Sequence, residues 1–589
     1  MKKMLKIVAM MGAVSAVQLG AFAAEAPAAL TTKKDDYLDV MEAAVRAYSD
    51  ERLAQLADET DRAGVQEHGF PRLAANLGVL VANGRLLDKK ALFAQMMTTA
   101  CRDAAKGKMP RGDAGNDFSV KELVWALVAV EKAGVYPKAT MAAWRETLTR
   151  IDGRESYARG RLRVGEDRAR NWAVFACASE QARLAAGAGG DPSYVETYVA
   201  DQLRWFDELG MYRDPHSPMV YDLVTRLQFM HVLAEGYDGA SRARLENLLD
   251  AAAEPTLRML SAAGEIPFGG RSQQFLHNST FYAAVCEWYA ARSARRGDLV
   301  LANRFKRAAR RSLDALRPWL ARSSVRHVKN RYPPVANGAK RAADVGCESY
   351  AYFDKYMITM GSWALGAYQL CEDVPSADVP PEEPFVFATT PDFHQVLLSS
   401  GDYSAQFDWS ANPDYDATGL GCVQRRGAPG TICLAAPCPA KASYRRECDG
   451  PALAIAPVLP AETPLALQKR YATATAAHVE WTVAGLEWNC TLDENGLLSE
   501  LRGPGEVALA LPAFEFDGAE APDVRCDGRA LTISYGGWVC RYEVVGDGQI
   551  VRTDAVTSNR NGRYRRYEAR GSRSLSVRIS IAPSMQNNF

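Results

Sequence analysis

The chain lacks an excess of charge of either sign. Its 70 lysine and arginine residues balance its 70 aspartate and glutamate residues, so the formal net charge is zero. A general nucleic-acid-binding protein needs a large basic excess, and that class is therefore excluded. Because 48% of the residues are hydrophobic, a mainly disordered chain is excluded as well. The 589 residues exceed what one hydrophobic core usually supports, so we expect two large domains.

The sequence also lacks the short motifs of several common chemistries. None of the twelve cysteines forms a C-x-x-C pair, which argues against zinc and thioredoxin-like sites. There is no glycine-rich phosphate loop, no G-x-S-x-G elbow and no H-E-x-x-H helix. We therefore expect neither a metal nor another cofactor. One or two disulfides among Cys422, Cys433, Cys438 and Cys448 are compatible with the spacing, which does not determine their connectivity.

No stretch beyond residue 24 is long and apolar enough to span a membrane. Before it, three lysines precede an apolar run at 7–17 and the small-x-small sequence Ala21-Phe22-Ala23. This order predicts a secretory signal peptide over residues 1–23, removed before Ala24. No cysteine follows the apolar run, which argues against a lipoprotein anchor. We expect an exported protein, periplasmic or extracellular, without stable membrane insertion.

From residue 35 to about 371, hydrophobic residues recur at helical spacing. We predict about twelve helices, starting near Asp35, Pro71, Lys89, Ser119, Lys138, Asp167, Ser193, Met219, Ser241, Asn278, Asp298 and Ser349. The S-x-x-E sequences at Ser119 and Ser193 predict capping boxes. Short turns alternate with longer loops, and helical pairs joined in this way can close into a ring. We predict an (α/α)-toroid, either incomplete or an (α/α)6 barrel, over residues 24–371.

Residues 372–384 are rich in proline and predict a semi-rigid linker. Beyond them the hydrophobic period changes from 3.6 to 2. Short alternating runs separated by turn residues predict strands at 394–400, 403–409, 430–435, 478–483, 486–492, 530–535, 538–544 and 575–581. Many short strands without intervening helices predict an antiparallel β-sandwich over residues 385–589. The basic and aromatic segment 560–573 could contact a polyanion from the second domain, but it is more typical of an exposed edge strand protected by charge.

Aromatic and ionisable side chains collect in five segments of the helical half, at 170–172, 211–222, 264–278, 326–332 and 346–356. Tyrosine and tryptophan rings pack on sugar rings, and arginine binds carboxylate or sulfate. The segments therefore predict a cleft for an acidic sugar polymer. The residues that we expect to bind it are Asn171, Arg213, Asp214, Asp222, Lys329, Arg331, Glu348, Tyr350 and Tyr356.

A uronate glycoside can be cleaved by β-elimination, which needs a group that neutralises the carboxylate, a base and an acid. His277, Asn278, Tyr221 and Arg271 supply these types, and Arg271 follows two glycines that permit a close approach of the substrate. Hydrolysis instead needs two carboxyl groups that face each other. The candidate carboxyl groups are Asp214, Asp222, Glu265, Glu348 and Asp354. Elimination, hydrolysis and glycan binding without catalysis all remain open at this point.

The order of domains resembles the (α/α)-toroid plus β-sandwich enzymes that degrade uronate-containing polysaccharides. These are the heparinase II/III-like and alginate lyase-like proteins, and also glucuronidase-type (α/α)-barrel hydrolases. Secreted bacterial proteins of this type carry runs similar to those at 211–215, 219–222, 264–267, 269–272 and 328–331. The resemblance implies that Asn278, His277 and a tyrosine are the neutralising and acid/base groups of a lyase. It implies a secreted enzyme acting on a uronic-acid-containing polysaccharide or oligosaccharide, with β-elimination favoured over hydrolysis.

Overall fold

The computed structural model describes residues 30–107, 115–157, 170–215, 219–270, 272–321, 327–332, 353–412, 416–434, 454–459 and 463–584. Within these ranges, fifteen α-helices and two short 3-10 helices precede sixteen β-strands. The helices belong to the first half of the chain and the named strands to the second. The predicted fold class, a helical domain followed by an antiparallel β domain, is confirmed.

The helical half is a closed ring of helix pairs. Its helices are α1 (Lys34–Arg46), α2 (Asp50–Ala63), α3 (Gly69–Ala82), α4 (Lys90–Ala105), α5 (Asn116–Ala133), α6 (Lys138–Thr149), α7 (Gly153–Ser156), α8 (Arg170–Ala185), α9 (Pro192–Gln202), α10 (Met219–Ala234), α11 (Arg242–Ala251), α12 (Ala253–Arg258), α13 (His277–Arg295), α14 (Leu299–Leu320) and α15 (Phe353–Leu370). Helices α3, α5, α8, α10, α13 and α15 each contact the next, and α15 contacts α3. The predicted barrel is therefore complete, with six inner helices.

Burial explains which helices are inner. Nearly every residue of α3, α10 and α13 is buried, whereas α14 alternates buried and exposed faces. A helix that is covered on all sides belongs inside, and an amphipathic one packs at the surface. Since outer helices return the chain between inner ones, the inner helices run in one direction. Their N-terminal ends therefore gather at one end of the barrel.

The structure corrects both predicted capping boxes. Helix α5 begins at Asn116, so Ser119 lies inside it and its hydroxyl donates to the Gly115 carbonyl at 3.1 Å. Helix α9 begins at Pro192, and its N-cap is Asp191, whose carboxylate accepts from the Ser193 and Tyr194 amides. An aspartate N-cap followed by proline at the first helical position is a strong start signal, and here it prevails over the serine.

The second half is antiparallel throughout the described residues. Its strands are β1 (Phe385–Ala388), β2 (Gln395–Ser400), β3 (Tyr403–Asp408), β4 (Gly419–Arg425), β5 (Ala456–Pro457), β6 (Ala466–Ala472), β7 (Ala477–Val483), β8 (Leu486–Asp493), β9 (Gly496–Arg502), β10 (Val507–Phe516), β11 (Asp523–Cys526), β12 (Ala530–Tyr535), β13 (Trp538–Val545), β14 (Gln549–Asn559), β15 (Gly562–Gly571) and β16 (Ser574–Pro583). They form sheets in the orders β1-β2-β3-β4, β14-β15-β10-β5 and β11-β12-β13-β16-β9-β8-β7-β6.

The strand predicted at 430–435 is wrong. Residues 430–433 form turns, and Leu434 makes only an isolated bridge to Cys422. A short apolar run does not by itself distinguish a strand from a buried turn. Cys422 and Cys433 are both buried free thiols, while Cys438 and Cys448 lie outside the described residues.

The first sheet is a layer shared by the two halves. Phe385, Phe387 and Leu397 pack with the helical core, and Val396 and Leu398 pack with the β core. This division follows from the two-residue period of a strand, whose successive side chains point to opposite faces. The proline-rich residues before β1 also lie against the helices, since the Asn303 amide donates to the Pro375 carbonyl at 2.8 Å.

Candidate active site

Aromatic side chains from five inner helices meet at the end of the barrel where these helices begin. The ring centroids of Trp172 and Phe118 are 5.3 Å apart, and those of Phe118 and His68 are 5.4 Å apart. Tyr356 continues this series, at 6.3 Å from His68 and 6.0 Å from His277. Each of these residues lies within the first four positions of its helix or directly before it. We call this set the aromatic rim.

The same end of the barrel attracts negative charge. A helix N-terminus carries about half a positive elementary charge and several backbone N–H groups without an intrahelical partner. Six such ends surround the aromatic rim. A ligand that carries carboxylates is favoured here over a neutral or cationic one.

His277 and Asn278, which the sequence selects as catalytic candidates, form the first turn of α13. The His277 ring stacks on Phe275, with centroids 4.9 Å apart and planes 17° apart. Burial first, and then the charges of Arg72, His327 and Arg560, lower the pKa of His277 well below its ordinary value. Its imidazole is therefore neutral at pH 7. The Asn278 Nδ2 donates to the Ser272 carbonyl at 3.1 Å.

Both residues have a buried polar atom to which no described residue is hydrogen-bonded. Within the described residues, His277 Nδ1 and Asn278 Oδ1 are buried and have no hydrogen-bond partner. More than nine in ten buried polar groups of folded proteins are hydrogen-bonded, so such atoms are exceptional. They mark the first turn of α13 as a place where a ligand or water completes the bonding.

Tyr221 belongs to the same constellation. Its hydroxyl lies 3.3 Å from Ser272 Oγ, and the Ser272 carbonyl accepts from Asn278. Ser272 has φ +61°, a left-handed conformation that side-chain-bearing residues rarely adopt. Such strain persists only where neighbouring groups fix the backbone. The predicted residue Arg271, directly before Ser272, lies outside the described residues.

The β half fixes the strained segment from Phe268 to Leu276. The Gly270 amide donates to Asp416 at 2.9 Å, and the Phe268 amide donates to Gln406 at 3.1 Å. Arg560 Nη1 donates to the Gln273 carbonyl at 2.7 Å, and its guanidinium lies 4.3 Å from the Phe275 ring centroid. The β half thus supports the groups that hold Asn278 and His277.

Arg560 is a functional candidate that the sequence placed only within the segment 560–573. The edge-strand interpretation of that segment is wrong, because β15 lies between β14 and β10 in its sheet, and Arg560 is only 7% exposed and packs against the helical half. The turn that carries it joins β14 to β15, and no local pattern shows that this turn docks beside α13.

His68 and Arg72 are two further residues that the sequence analysis missed. His68 belongs to the aromatic rim, and Arg72 Nη1 lies 3.2 Å from its Nδ1. Arg72 Nε also pairs with Glu122 at 3.4 Å. The run His68-Gly-Phe-Pro-Arg72 has the composition of the segments that were selected, with ionisable groups beside glycine and proline at a helix start. That signal was available.

Asp222 is not brought to the cleft, which corrects its assignment as a substrate-binding residue. It is fully buried, and its carboxylate accepts from Arg226 Nη2 at 2.6 Å and from the Tyr212 amide at 2.6 Å. With every oxygen engaged inside the barrel wall, Asp222 can stabilise the fold but cannot reach a ligand.

The predicted cationic residues already have carboxylate partners. Lys329 is buried and pairs with Glu265 at 2.8 Å. Arg331 pairs with Asp517 of the β half at 2.8 Å, and Arg213 pairs with Asp392 at 3.3 Å. The contacts of Arg331 and Arg213 join the two halves, whereas Lys329 and Glu265 both belong to the helical half, so binding of substrate by these side chains stays a prediction.

The remaining predicted residues divide into one observed pair and two that lie outside the described ranges. Asn171 Nδ2 donates to Asp214 at 2.8 Å, and both residues are buried at the start of α8. This pair borders the aromatic rim through the adjacent Trp172. Glu348 and Tyr350 lie outside the described residues.

A small cavity separates α13 from the β half. Its volume is about 20 Å³, and Glu265, Lys329, Asn278, Gln406 and Gln424 are among the residues that line it. That volume accommodates a water molecule but not a sugar ring. Among the described residues, no three His, Cys, Asp or Glu side chains are arranged to hold a metal ion. None of the described helices is long and apolar enough to cross a bilayer.

No family model and no curated protein matches the sequence. Solved structures of similar fold include a heparinase III gene product, at 8% identity over 94% of this chain and 85% of that chain, with a TM-score of 0.45. A chondroitinase AC lyase matches at 8% identity over 94% of this chain and 84% of that chain, with a TM-score of 0.39. A glycosyl hydrolase family 88 protein from Bacteroides vulgatus matches at 11% identity over 57% of this chain and 99% of that chain, with a TM-score of 0.37.

Proposed function

We propose that this protein is a polysaccharide lyase that cleaves a uronic-acid-containing polysaccharide or oligosaccharide by β-elimination. One observation carries the proposal: the neutral imidazole of His277 and the amide of Asn278 lie side by side at the end of the barrel where six helix N-termini converge. A base and an amide donor in a site that favours anions are the groups that elimination requires.

The proposed reaction distributes its steps over three side chains. The substrate carboxylate accepts a hydrogen bond from the Asn278 amide, which lowers the cost of the negative charge that develops beside it. His277 takes the proton from C5, and the C5–H electron pair forms the C4–C5 double bond. The C4–O bond breaks, and the leaving oxygen receives a proton from the Tyr356 hydroxyl. Tyr221 is the alternative proton-transfer group, since it joins Asn278 through Ser272.

The aromatic rim supplies the binding surface in this proposal. Trp172 and Tyr356 are partly exposed, and their ring faces suit the apolar faces of pyranose rings. The elimination needs no metal or organic cofactor. We also propose that the signal peptide at 1–23 exports the protein, so that it meets its glycan in the periplasm or outside the cell.

A glycoside hydrolase is the second candidate, and one observation favours it. Burial raises the pKa of Glu67 to about 7, which suits a general acid, and Glu67 directly precedes His68 of the aromatic rim. A hydrolase also needs a second carboxyl group. Asp214, Asp222 and Glu265 already hold polar partners, and Asp354 pairs with Arg52 at 2.5 Å.

The deciding experiment measures two products on a panel of uronate-containing glycans. Elimination produces both new reducing ends and the ultraviolet absorbance of an unsaturated uronate, whereas hydrolysis produces reducing ends alone. We expect both signals from the wild type. Asn278→Ala and His277→Ala should each lower turnover on the order of 100-fold while glycan binding and melting temperature are retained.

Two control variants complete the design. His231 is also a buried histidine with a pKa well below its ordinary value, but it lies 12 residues into α10, about 18 Å from that helix's start. His231→Gln should therefore keep near-normal turnover. Glu67→Gln should be mild in a lyase and severe in a hydrolase. Reducing ends without unsaturated product, together with an inactive Glu67→Gln, would replace the lyase by the hydrolase.

A further inference from the structure

Arg72 holds a donor group that no described residue satisfies. This side chain is 2% exposed and lies one turn into α3, beneath His68. Its Nη1 faces His68 Nδ1 at 3.2 Å and Thr359 Oγ1 at 3.4 Å, and its Nε pairs with Glu122. Within the described residues, Arg72 Nη2 is buried without an acceptor. A buried donor left unbonded costs about 1–3 kcal/mol, and more when it is charged.

Trp363 places a second unsatisfied donor beside the first. The Arg72 guanidinium carbon lies 5.8 Å from the Trp363 ring centroid. Trp363 is 6% exposed, and its Nε1–H also finds no acceptor in the described part of the chain. Phe175 and Phe281 flank the indole at 5.9 Å and 5.8 Å. Arg72 and Trp363 are therefore neighbours that each keep a buried donor without an acceptor among the described residues.

The charges around these two donors leave a positive surplus. Arg72 and Lys121 are cationic, and Glu122 is the carboxylate between them, at 3.4 Å and 3.8 Å. Glu122 also accepts from the Ser362 hydroxyl at 2.7 Å. Burial lowers the pKa of Lys121 to about 8, so its ammonium remains charged at pH 7. A buried charge without a counterion is costly, and an anionic ligand would remove that cost.

We propose that Arg72 Nη2 and Trp363 Nε1 form an anion site that receives a carboxylate of the bound glycan, from the sugar that lies deepest in the barrel. One carboxylate oxygen accepts from both donors, and the surplus charge compensates its negative charge. This inference rests on the proposed function and names the residues that select acidic over neutral sugars. Asn278 then binds the carboxylate of the reacting sugar, and Arg72 that of a neighbouring sugar.

The test measures binding directly, so it does not depend on cleavage. The full-length protein is titrated with D-glucuronate, D-glucose and inorganic sulfate by calorimetry. The wild type should bind glucuronate, should bind glucose at least about tenfold more weakly, and should bind sulfate only weakly. Trp363→Phe removes one N–H and should weaken glucuronate binding about tenfold or more, since a hydrogen bond to a charged group is worth about 1.5 kcal/mol or more.

Trp125→Phe is the matched control. Trp125 is 5% exposed, close to the 6% of Trp363, but its Nε1–H already donates to Glu235 at 2.6 Å. Its replacement should leave glucuronate affinity unchanged. Arg72→Gln should lower affinity more than Trp363→Phe does, and Trp363→Phe keeps the test valid if Arg72→Gln does not fold.

The possible outcomes separate this inference from the proposed function. Equal binding of glucuronate by the wild type and Trp363→Phe, or no binding by the wild type, would show that water fills the site and would overturn the inference. Stronger binding of sulfate than of glucuronate would also overturn it. If glucuronate binds as expected but no glycan of the panel is cleaved, the anion site stands and the proposed enzymatic function fails.

Discussion

Buried polar groups of the same kinds differ in hydrogen bonding between two parts of the barrel. Between the inner and outer helices, Glu287 accepts from the Tyr37 hydroxyl at 2.5 Å with one oxygen and from Lys306 at 2.5 Å with the other. At the end where the inner helices begin, Arg72 and His277 keep polar atoms without partners among the described residues. Every oxygen of Glu287 has a partner, whereas Arg72 and His277 each keep a polar atom for which we propose a ligand as the partner.

Bonding separates these examples more than residue type does, and His231 Nε2, deep in α10, also lacks a partner among the described residues. Asp222 and Asn278 lie in the same kind of segment and were both selected from the sequence. The structure gives every oxygen of Asp222 a partner and leaves Asn278 Oδ1 without one in the described part of the chain. Proteins accept such local instability mainly where a ligand repays it.

The largest expected effect on stability comes from breaking the buried ion pair between Asp222 and Arg226. Asp222→Ala leaves the fully buried Arg226 without its counterion, and we expect the free energy of unfolding to fall by about 3–5 kcal/mol. Urea denaturation of the variant and the wild type measures the loss. A loss below about 1 kcal/mol would mean that this pair is no more essential to the fold than an exposed one.

The next effect concerns the pH dependence of stability. Burial first, and then the charge of Lys121, lower the pKa of His231 well below its ordinary value near 6.5. Below pH 6.5 the unfolded chain therefore binds a proton that the folded chain does not, so this residue costs stability as the pH falls. His231→Gln removes that cost, and the variant should gain about 1.4 kcal/mol on the wild type for each pH unit below 6.5.

Urea denaturation at pH 7.5, 6.0 and 5.0 tests this pH dependence. Helix α15 approaches His231 closely, since a Cβ added at Gly366 would lie 3.0 Å from His231 Nε2. The residue that replaces His231 must therefore be no larger than histidine, as glutamine is. An unchanged difference between the two proteins across the series would mean that His231 titrates normally in the folded barrel.

A smaller effect, on the pH dependence of activity, is expected from replacing Arg560 of the β half. Arg560→Gln removes a positive charge that helps to lower the pKa of His277, so that pKa should rise. Because His277 must be neutral to act as a base, the acidic limb of kcat/KM should move up by about half a pH unit. Arg566→Gln, in which the lost partner is Glu568 at 2.6 Å, is the control and should not move the limb. Equal profiles for the two variants would remove Arg560 from the site.

The smallest effect is expected from replacing Arg213, which lies outside the aromatic rim. Arg213 is partly exposed and pairs with Asp392 at 3.3 Å. Arg213→Gln should change the free energy of unfolding by less than about 1 kcal/mol, since exposed pairs contribute little. Its effect on KM should be confined to low ionic strength, where charges remain unscreened. Measuring KM at two salt concentrations shows whether Arg213 attracts the polyanion or only joins the two halves.

Parts of the site could be predicted because they are local in sequence. His277 and Asn278 are adjacent, and their position at a helix start follows from the hydrophobic period behind them. Arg72 and Thr359 are 287 residues apart, yet they contact each other at 3.4 Å. Arg560 reaches Gln273 across the same separation. A single sequence contains no signal for such contacts, whereas the composition of the run at 68–72 was a local signal for His68 and Arg72.

The sequence by itself determined that helices come first and antiparallel strands follow, but it did not locate every strand: β4, β10 and β14 were not predicted. Helical spacing up to α15 and two-residue alternation from β2 onward are local periodicities, and they survived folding because each element buries the face that its own pattern defines. Only the tertiary structure decided which ionisable groups have partners. Ring closure brought Arg72 beside Trp363, and packing between the two halves placed Arg560 beside α13. These outcomes depend on contacts between distant segments, which hydrophobic periodicity does not specify.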